Sequence, residues 1–150
     1  HFAIVQDETR VLAFADVDSD GDVDMFVGNV RQRLMTTTRN FIYLNDGSGR
    51  FLTAMSNSIG FGTYGAKLVD FDADGDPDLV LANANILAAG DITGFQLYRN
   101  SGGVFSDITT TAFGRAIQEH GFGVASGDFN SDGKTDLYLC SRGALLNGII

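Results

Sequence analysis

Three short segments alternate aspartate with other residues so regularly that their oxygens can close on a single point. The first, residues 16–24, reads Asp16-Val17-Asp18-Ser19-Asp20-Gly21-Asp22-Val23-Asp24. As the chain curls, positions 1, 3 and 5 turn their side-chain oxygens inward, and glycine at position 6 permits the sharp turn. The backbone carbonyl of Asp22 and the carboxylate of Asp24 complete the set. Residues 70–78 repeat the layout with Asp70, Asp72, Asp74, Gly75, the carbonyl of Asp76, and Asp78. Residues 128–136 do so with Asp128, Asn130, Asp132, Gly133, the carbonyl of Lys134, and Asp136. Such a cage suits Ca²⁺, a hard cation that takes six to eight oxygens at about 2.3–2.6 Å, whereas Mg²⁺ keeps several waters and few protein ligands. One such loop is compatible with a plain solvated acidic turn. Three in register are not, because carboxylates gathered without a cation repel one another. Three Ca²⁺ sites are expected.

The EF-hand shares the first six positions but needs a Glu at position 12 and flanking helices. Position 12 here is Val27, Leu81 or Leu139, inside an apolar run, so that reading fails in all three copies.

The elements that hold the loops repeat with them. The first Asp of each loop falls at 16, 70 and 128, spacings of 54 and 58 residues. An apolar segment follows each loop, at 25–30, 79–83 and 137–141. Next come aromatic segments at 41–45 and 95–100, with an echo at 145–147, then Gly-rich turns at 46–49 and 101–103. These runs of 5–8 residues, rich in branched and aromatic side chains and bounded by turn signals, predict strands. Four strands per repeat, A to D, place the Asp loop between A and B. Residues 1–6 align with strand D and the end of the chain with strand C, giving twelve strands in the order D, ABCD, ABCD, ABC. The repeats fall around 1–49, 50–102 and 103–150 of a single domain.

Charge follows the same organisation. Thirteen of the 19 Asp and Glu residues are aspartates of the loops, leaving six acids against ten bases elsewhere. The net charge of -9 therefore belongs to the loops, and with no basic cluster standing out nucleic acid is not expected as a partner. No apolar run approaches the roughly 18 residues of a membrane span, so membrane insertion is not expected. The single Cys140, in an apolar stretch, reads as a small buried residue and cannot form an internal disulfide. The chain starts at His1 rather than Met, without a visible signal peptide, and reads as a processed protein or a fragment.

With those residues in view, the chain resembles the FG-GAP or VCBS repeats, the calcium-bearing blades of integrin-α-type β-propellers. The resemblance rests on Phe61-Gly62, on Leu68-Val69-Asp70-Phe71-Asp72-Ala73-Asp74-Gly75-Asp76-Pro77-Asp78-Leu79, on Leu97-Tyr98-Arg99-Asn100, and on the stretch from Phe122-Gly123 to Asp128-Phe129-Asn130. It implies an all-β fold of four-stranded antiparallel blades around an axis, with strand A innermost and Ca²⁺ in each A–B loop. It also implies an extracellular or cell-surface protein that binds proteins or glycans. Three repeats are fewer than the 4–8 blades of closed propellers, so a longer parent chain or several copies would complete the ring.

Three functions follow from this reading. The first is a calcium-stabilised binding or assembly module, with protein, glycan or further copies of itself as partner. The second is a structural subunit of an extracellular fibre or surface layer, built by strand pairing between chains. The third is an enzyme, for which His120 beside Glu119, Ser141 and Cys140 are the available groups. No nucleophile, base and orienting residue come together from these, so catalysis is not expected. Arg31, Arg33 and Arg39 form a modest basic group that reads as a solvated loop, or as a site for an anionic partner.

Overall fold

A computed structural model of the chain describes residues 8–30, 39–55, 59, 62–84, 94–114, 117, 119–142 and 148–149. The strands β1 (Glu8–Ala15), β2 (Asp24–Val30), β3 (Phe41–Asn45) and β4 (Phe51–Met55) form one antiparallel sheet in chain order. A second sheet repeats the order with β5 (Thr63–Val69), β6 (Asp78–Asn83), β7 (Phe95–Arg99) and the short β8 (Ser106–Asp107). The third holds β9 (Gly121–Gly127), β10 (Asp136–Ser141) and β11 (Gly148–Ile149), with β10 in the middle. The expected strands A to C are thus present in each sheet and D in the first two. The expected strand D at residues 1–6 and the segment 145–147 lie outside the described residues.

Successive side chains of a strand point to opposite faces, and the second sheet uses both faces. All of β6 is buried. Leu79 and Leu81 pack with Val17 of the first Asp loop and with Phe26 and Ile42 of the first sheet. Val80 and Ala82, pointing the other way, join Phe95, Leu97, Leu137 and Leu139 in a core shared with the third sheet. Fully burying one such Leu or Val stabilises the fold by about 1.5–3 kcal/mol. The first strands of the sheets lie beside one another, β1 against β5 and β5 against β9. The second of these approaches is backbone-close: a Cβ on Gly65 would stand 2.9 Å from the Cα of Gly123, so a side chain there would push the sheets apart. The outer face of the first sheet, in contrast, is open, with Leu12 and Phe14 of β1 49% and 54% exposed.

At the strand ends away from the Asp loops, buried polar side chains tie the first two sheets together. Asn40 Nδ2 donates to Thr63 Oγ1 (2.8 Å) and to the Ile59 carbonyl (2.8 Å), and Thr63 Oγ1 donates to Asn83 Oδ1 (2.7 Å). Asn40 Oδ1 accepts from the backbone N–H of Asn29 (2.9 Å). Such groups are costly to bury unless bonded, and these are.

The structure departs from the expected pattern at two places. A short helix α1 (Thr109–Phe113) occupies part of the third long connection. Its start is held by Asp107 Oδ1, which accepts from Thr109 N (2.9 Å), and Gly114 ends it in the left-handed conformation that glycine adopts freely. Cys140 is half-buried rather than buried, because it alternates with the inward Leu139.

Candidate metal centre

Each Asp loop joins the first strand of a sheet to its second, as the sequence indicates, and the closing aspartate of each loop is the first residue of the second strand. The three loops share one backbone. Position 4 is left-handed in all of them, at Ser19 (φ 61°), Ala73 (φ 61°) and Ser131 (φ 62°). Position 6 has positive φ as well, 97° at Gly21, 97° at Gly75 and 83° at Gly133, which glycine alone tolerates without strain. The glycine was legible in the sequence; the left-handed Ser or Ala two residues earlier was not.

The first aspartate holds the curl from inside. Asp16 accepts from the N–H groups of Asp20 (3.2 Å) and Gly21 (2.9 Å). Asp70 does the same for Asp74 (3.2 Å) and Gly75 (3.1 Å), and Asp128 for Asp132 (3.1 Å) and Gly133 (2.9 Å). The closing aspartate returns beneath it. Asp24 is fully buried and accepts from Val17 N (2.8 Å) and Asn45 N (2.9 Å). Asp78, also fully buried, accepts from Phe71 N (3.2 Å) and Asn100 N (2.8 Å). Asp136 accepts from Phe129 N (2.9 Å).

Two triads of carboxylates result. Asp16, Asp18 and Asp24 bring one oxygen each within 4.8 Å of one another, and Asp70, Asp72 and Asp78 do likewise. Oxygens bound to one Ca²⁺ at about 2.4 Å stand at most about 4.8 Å apart, so each triad matches the span of a single ion. In the first triad Asp18 Oδ1 is closed off from solvent and has no hydrogen-bond partner among the described residues. An orphaned carboxylate oxygen on a member of a carboxylate triad is a donor that a hard cation can use. Burial, and then the negative charges of Asp20, Asp24 and Asp16, push the Asp18 pKa up. The Asp78 carboxyl is also pushed up, by burial first and by Asp72 and Asp74, against the two N–H donors that pull it down.

The other expected ligands stand apart from the triads. Asp20, Asp74 and Asp132, at position 5, accept from the N–H two residues on, at 3.0, 3.0 and 2.9 Å. Position 7 was expected to offer only a carbonyl, and its side chains do turn elsewhere. Asp76 Oδ2 accepts from Gly102 N (2.9 Å), and Asp22 lies against Gly47, where a Cβ would come 2.6 Å from its Oδ2. In the third loop Asn130 Oδ1 accepts from Asp132 N (2.9 Å) and its amide donates to Asp132 Oδ2 (3.2 Å), so only Asp128 and Asp136 supply carboxylates at the triad positions.

Two further residues escaped the sequence reading. Asn100 is fully buried and binds loops from two sheets: its amide donates to the carbonyls of Val17 (2.8 Å) and Pro77 (3.0 Å), while its Oδ1 accepts from Gly103 N (2.9 Å). Arg99, next to it, donates from Nε to Asp72 Oδ2 (2.8 Å). The signal for Asn100 in the sequence is the parallel between Tyr43-Leu44-Asn45 and Tyr98-Arg99-Asn100, at the ends of the two aromatic segments. Of the groups weighed for catalysis, Ser141 Oγ donates to Glu119 Oε2 (3.2 Å) and His120 is half-buried. Arg39 is exposed, and Arg31 and Arg33 lie outside the described residues.

No curated protein matches the chain. The model of the FG-GAP-like repeat matches residues 16–81, which take in both carboxylate triads, and again residues 82–139, which take in the third loop. With antiparallel sheets that repeat along the chain and an Asp loop at the same corner of each, the chain belongs to the FG-GAP-like repeat family.

Proposed function

We propose that the chain is a calcium-stabilised module of an extracellular β-propeller, whose ions fasten the first strand of each blade to the second and whose surface serves protein or glycan recognition. The observation that carries the calcium reading is the pair of carboxylate triads at equivalent corners of two sheets. Asp24 and Asp78 hold the second strand, Asp16 and Asp70 the end of the first, and an ion shared between them closes the corner. The family resemblance and side-by-side first strands support the propeller, and the open outer face of β1 supports packing against a further blade. Leu12 and Phe14 stand four and two residues before their loop, as Ala66 and Leu68 do in the second sheet, where those positions pack into the core. The same open face favours a second reading, a subunit that assembles into an extracellular fibre. No catalytic step is assigned. Calorimetric titration of Ca²⁺ into chelator-stripped protein tests the ion. At least two sites that Mg²⁺ fills poorly are expected, and fewer, or equal preference for Mg²⁺, overturns the reading.

A further inference from the structure

The first two loops have aspartate at positions 1, 3, 5, 7 and 9, so on loop sequence alone their cation sites should be equal. Among the differences in their surroundings, one places a charge beside the triad. In the parallel corners Tyr43-Leu44-Asn45 and Tyr98-Arg99-Asn100, the tyrosine and asparagine are shared and the middle residue is not. Leu44 packs against the core between the first two sheets. Arg99 instead points its guanidinium at the loop and donates to Asp72 Oδ2 at 2.8 Å, with 55% of its side chain exposed. Asp72 is the third-position member of the second triad; its counterpart Asp18 keeps an oxygen without a partner. One triad is open to a cation, and the other already carries a positive charge.

Resting on the calcium reading above, we propose that Arg99 is a built-in competitor for the second cation site, which makes that site fill after the first. A guanidinium paired with Asp72 must yield its carboxylate, or stand beside a divalent ion that repels it. Either way the second site loses affinity. Ordered filling also gives the second site a working range at higher calcium, and an Arg99 fork released by binding becomes available to a carboxylate elsewhere.

The test is a Ca²⁺ titration of chelator-stripped protein followed by NMR, with the backbone amides of Gly21 and Gly75 as reporters, since each donates to the first aspartate of its own loop. In the wild type the Gly21 resonance should reach its midpoint at lower calcium than Gly75. Arg99→Leu, which installs the residue found in the first sheet, should lower the Gly75 midpoint about fivefold, the range of an exposed ion pair, and leave Gly21 in place. Arg142→Leu, at an exposed arginine just after β10, removes the same charge elsewhere and should change neither. An unchanged Gly75 midpoint in Arg99→Leu, or an equal shift in Arg142→Leu, overturns the inference while the calcium reading stands. Wild-type protein in which neither glycine responds overturns both.

Discussion

The second Asp loop and the third follow the same backbone path into different chemistry. Both curl around a first aspartate, pass through a left-handed fourth residue and turn at a glycine. The second gathers Asp70, Asp72 and Asp78 into a triad. The third has Asn130 where the second has Asp72, and the Asn130 amide turns to Asp132. Surroundings differ as well. The turn at Gly102 covers the second loop, and Ser19 of the first loop donates to Asp76 (3.3 Å). Sequence spacing therefore fixes the shape of the loop. Whether its carboxylates converge depends on the residue at position 3 and on what the neighbouring turn supplies.

Removing calcium should have the largest effect. An ion that binds only the folded state adds about 2.7 kcal/mol per site at a hundredfold excess over Kd. In a chain of this size each kcal/mol moves Tm by about 2–4 °C. Chelator should therefore lower Tm by about 10 °C or more through the first two loops. The contribution of the third loop should be small: Asp78→Ala should abolish part of the calcium-dependent rise that Asp128→Ala leaves nearly intact. Equal losses from the two variants would erase the distinction between the loops, and an unchanged Tm in chelator would end the structural role.

The next largest effect belongs to the turn that covers the second loop. Asn100→Ala leaves the Val17 and Pro77 carbonyls and the Gly103 N–H without their partner, and each buried polar group so orphaned costs about 1–3 kcal/mol. Asn45 occupies the same place in the first sheet, donating to the Val23 carbonyl (3.2 Å) and accepting from Gly49 N (3.0 Å), but it is more exposed and among the described residues binds no second loop. Urea unfolding should show Asn45→Ala to be the milder change, by at least about 1 kcal/mol. Comparable losses would mean that the contact between the first and second loops adds no stability.

Much of this was legible in the residues. The alternating aspartates with glycine at position 6 mark the loops, the short apolar runs between turn signals mark the strands, and the family resemblance implies their antiparallel order. Two features were hidden for physical reasons. Asn100 and Arg99 act across sheets, on Val17, which lies 83 residues away, and on Asp72, and no local period reveals such a pairing. The helix at Thr109–Phe113 is a single turn set by Asp107 and Gly114, too short to show amphipathic spacing. The two faces of the second sheet were foreshadowed by Leu79-Val80-Leu81-Ala82, an unbroken apolar run where a half-exposed strand would alternate.

A smaller change acts on the third loop alone. Asn130→Asp restores the carboxylate found at Asp18 and Asp72, raising the charge of the cage, on which calcium affinity depends. About a tenfold gain at the third site is expected, read from the Gly133 amide during titration, with Gly21 and Gly75 unmoved. Lys134 remains beside the cage, so the restored site should still be the weakest. A Gly133 midpoint that does not move would show that position 3 is not what separates the loops.

The finest distinction concerns the proton that competes with the ion at Asp78. Burial raises this carboxyl above the 3.8 of an ordinary aspartate, although two backbone N–H groups donate to it. Without calcium the folded chain thus holds the proton more tightly than the unfolded chain. Below 3.8 both states are protonated and the group is neutral in the balance. As pH rises through 3.8 the unfolded state ionises first and stability falls, until the loss is complete above the raised folded value. Acidification in chelator should therefore recover stability through this group. Calcium should reverse the sign, because an ion held by the ionised carboxylate would depress the folded pKa. The group then contributes stability at neutral pH that is lost as pH falls through the depressed value. Carbon-13 titration of the Asp78 carboxyl should place its inflection above 3.8 in chelator and below 3.8 in saturating calcium. The same inflection in both conditions would mean that the ion does not engage Asp78, and the second triad would not be a calcium site.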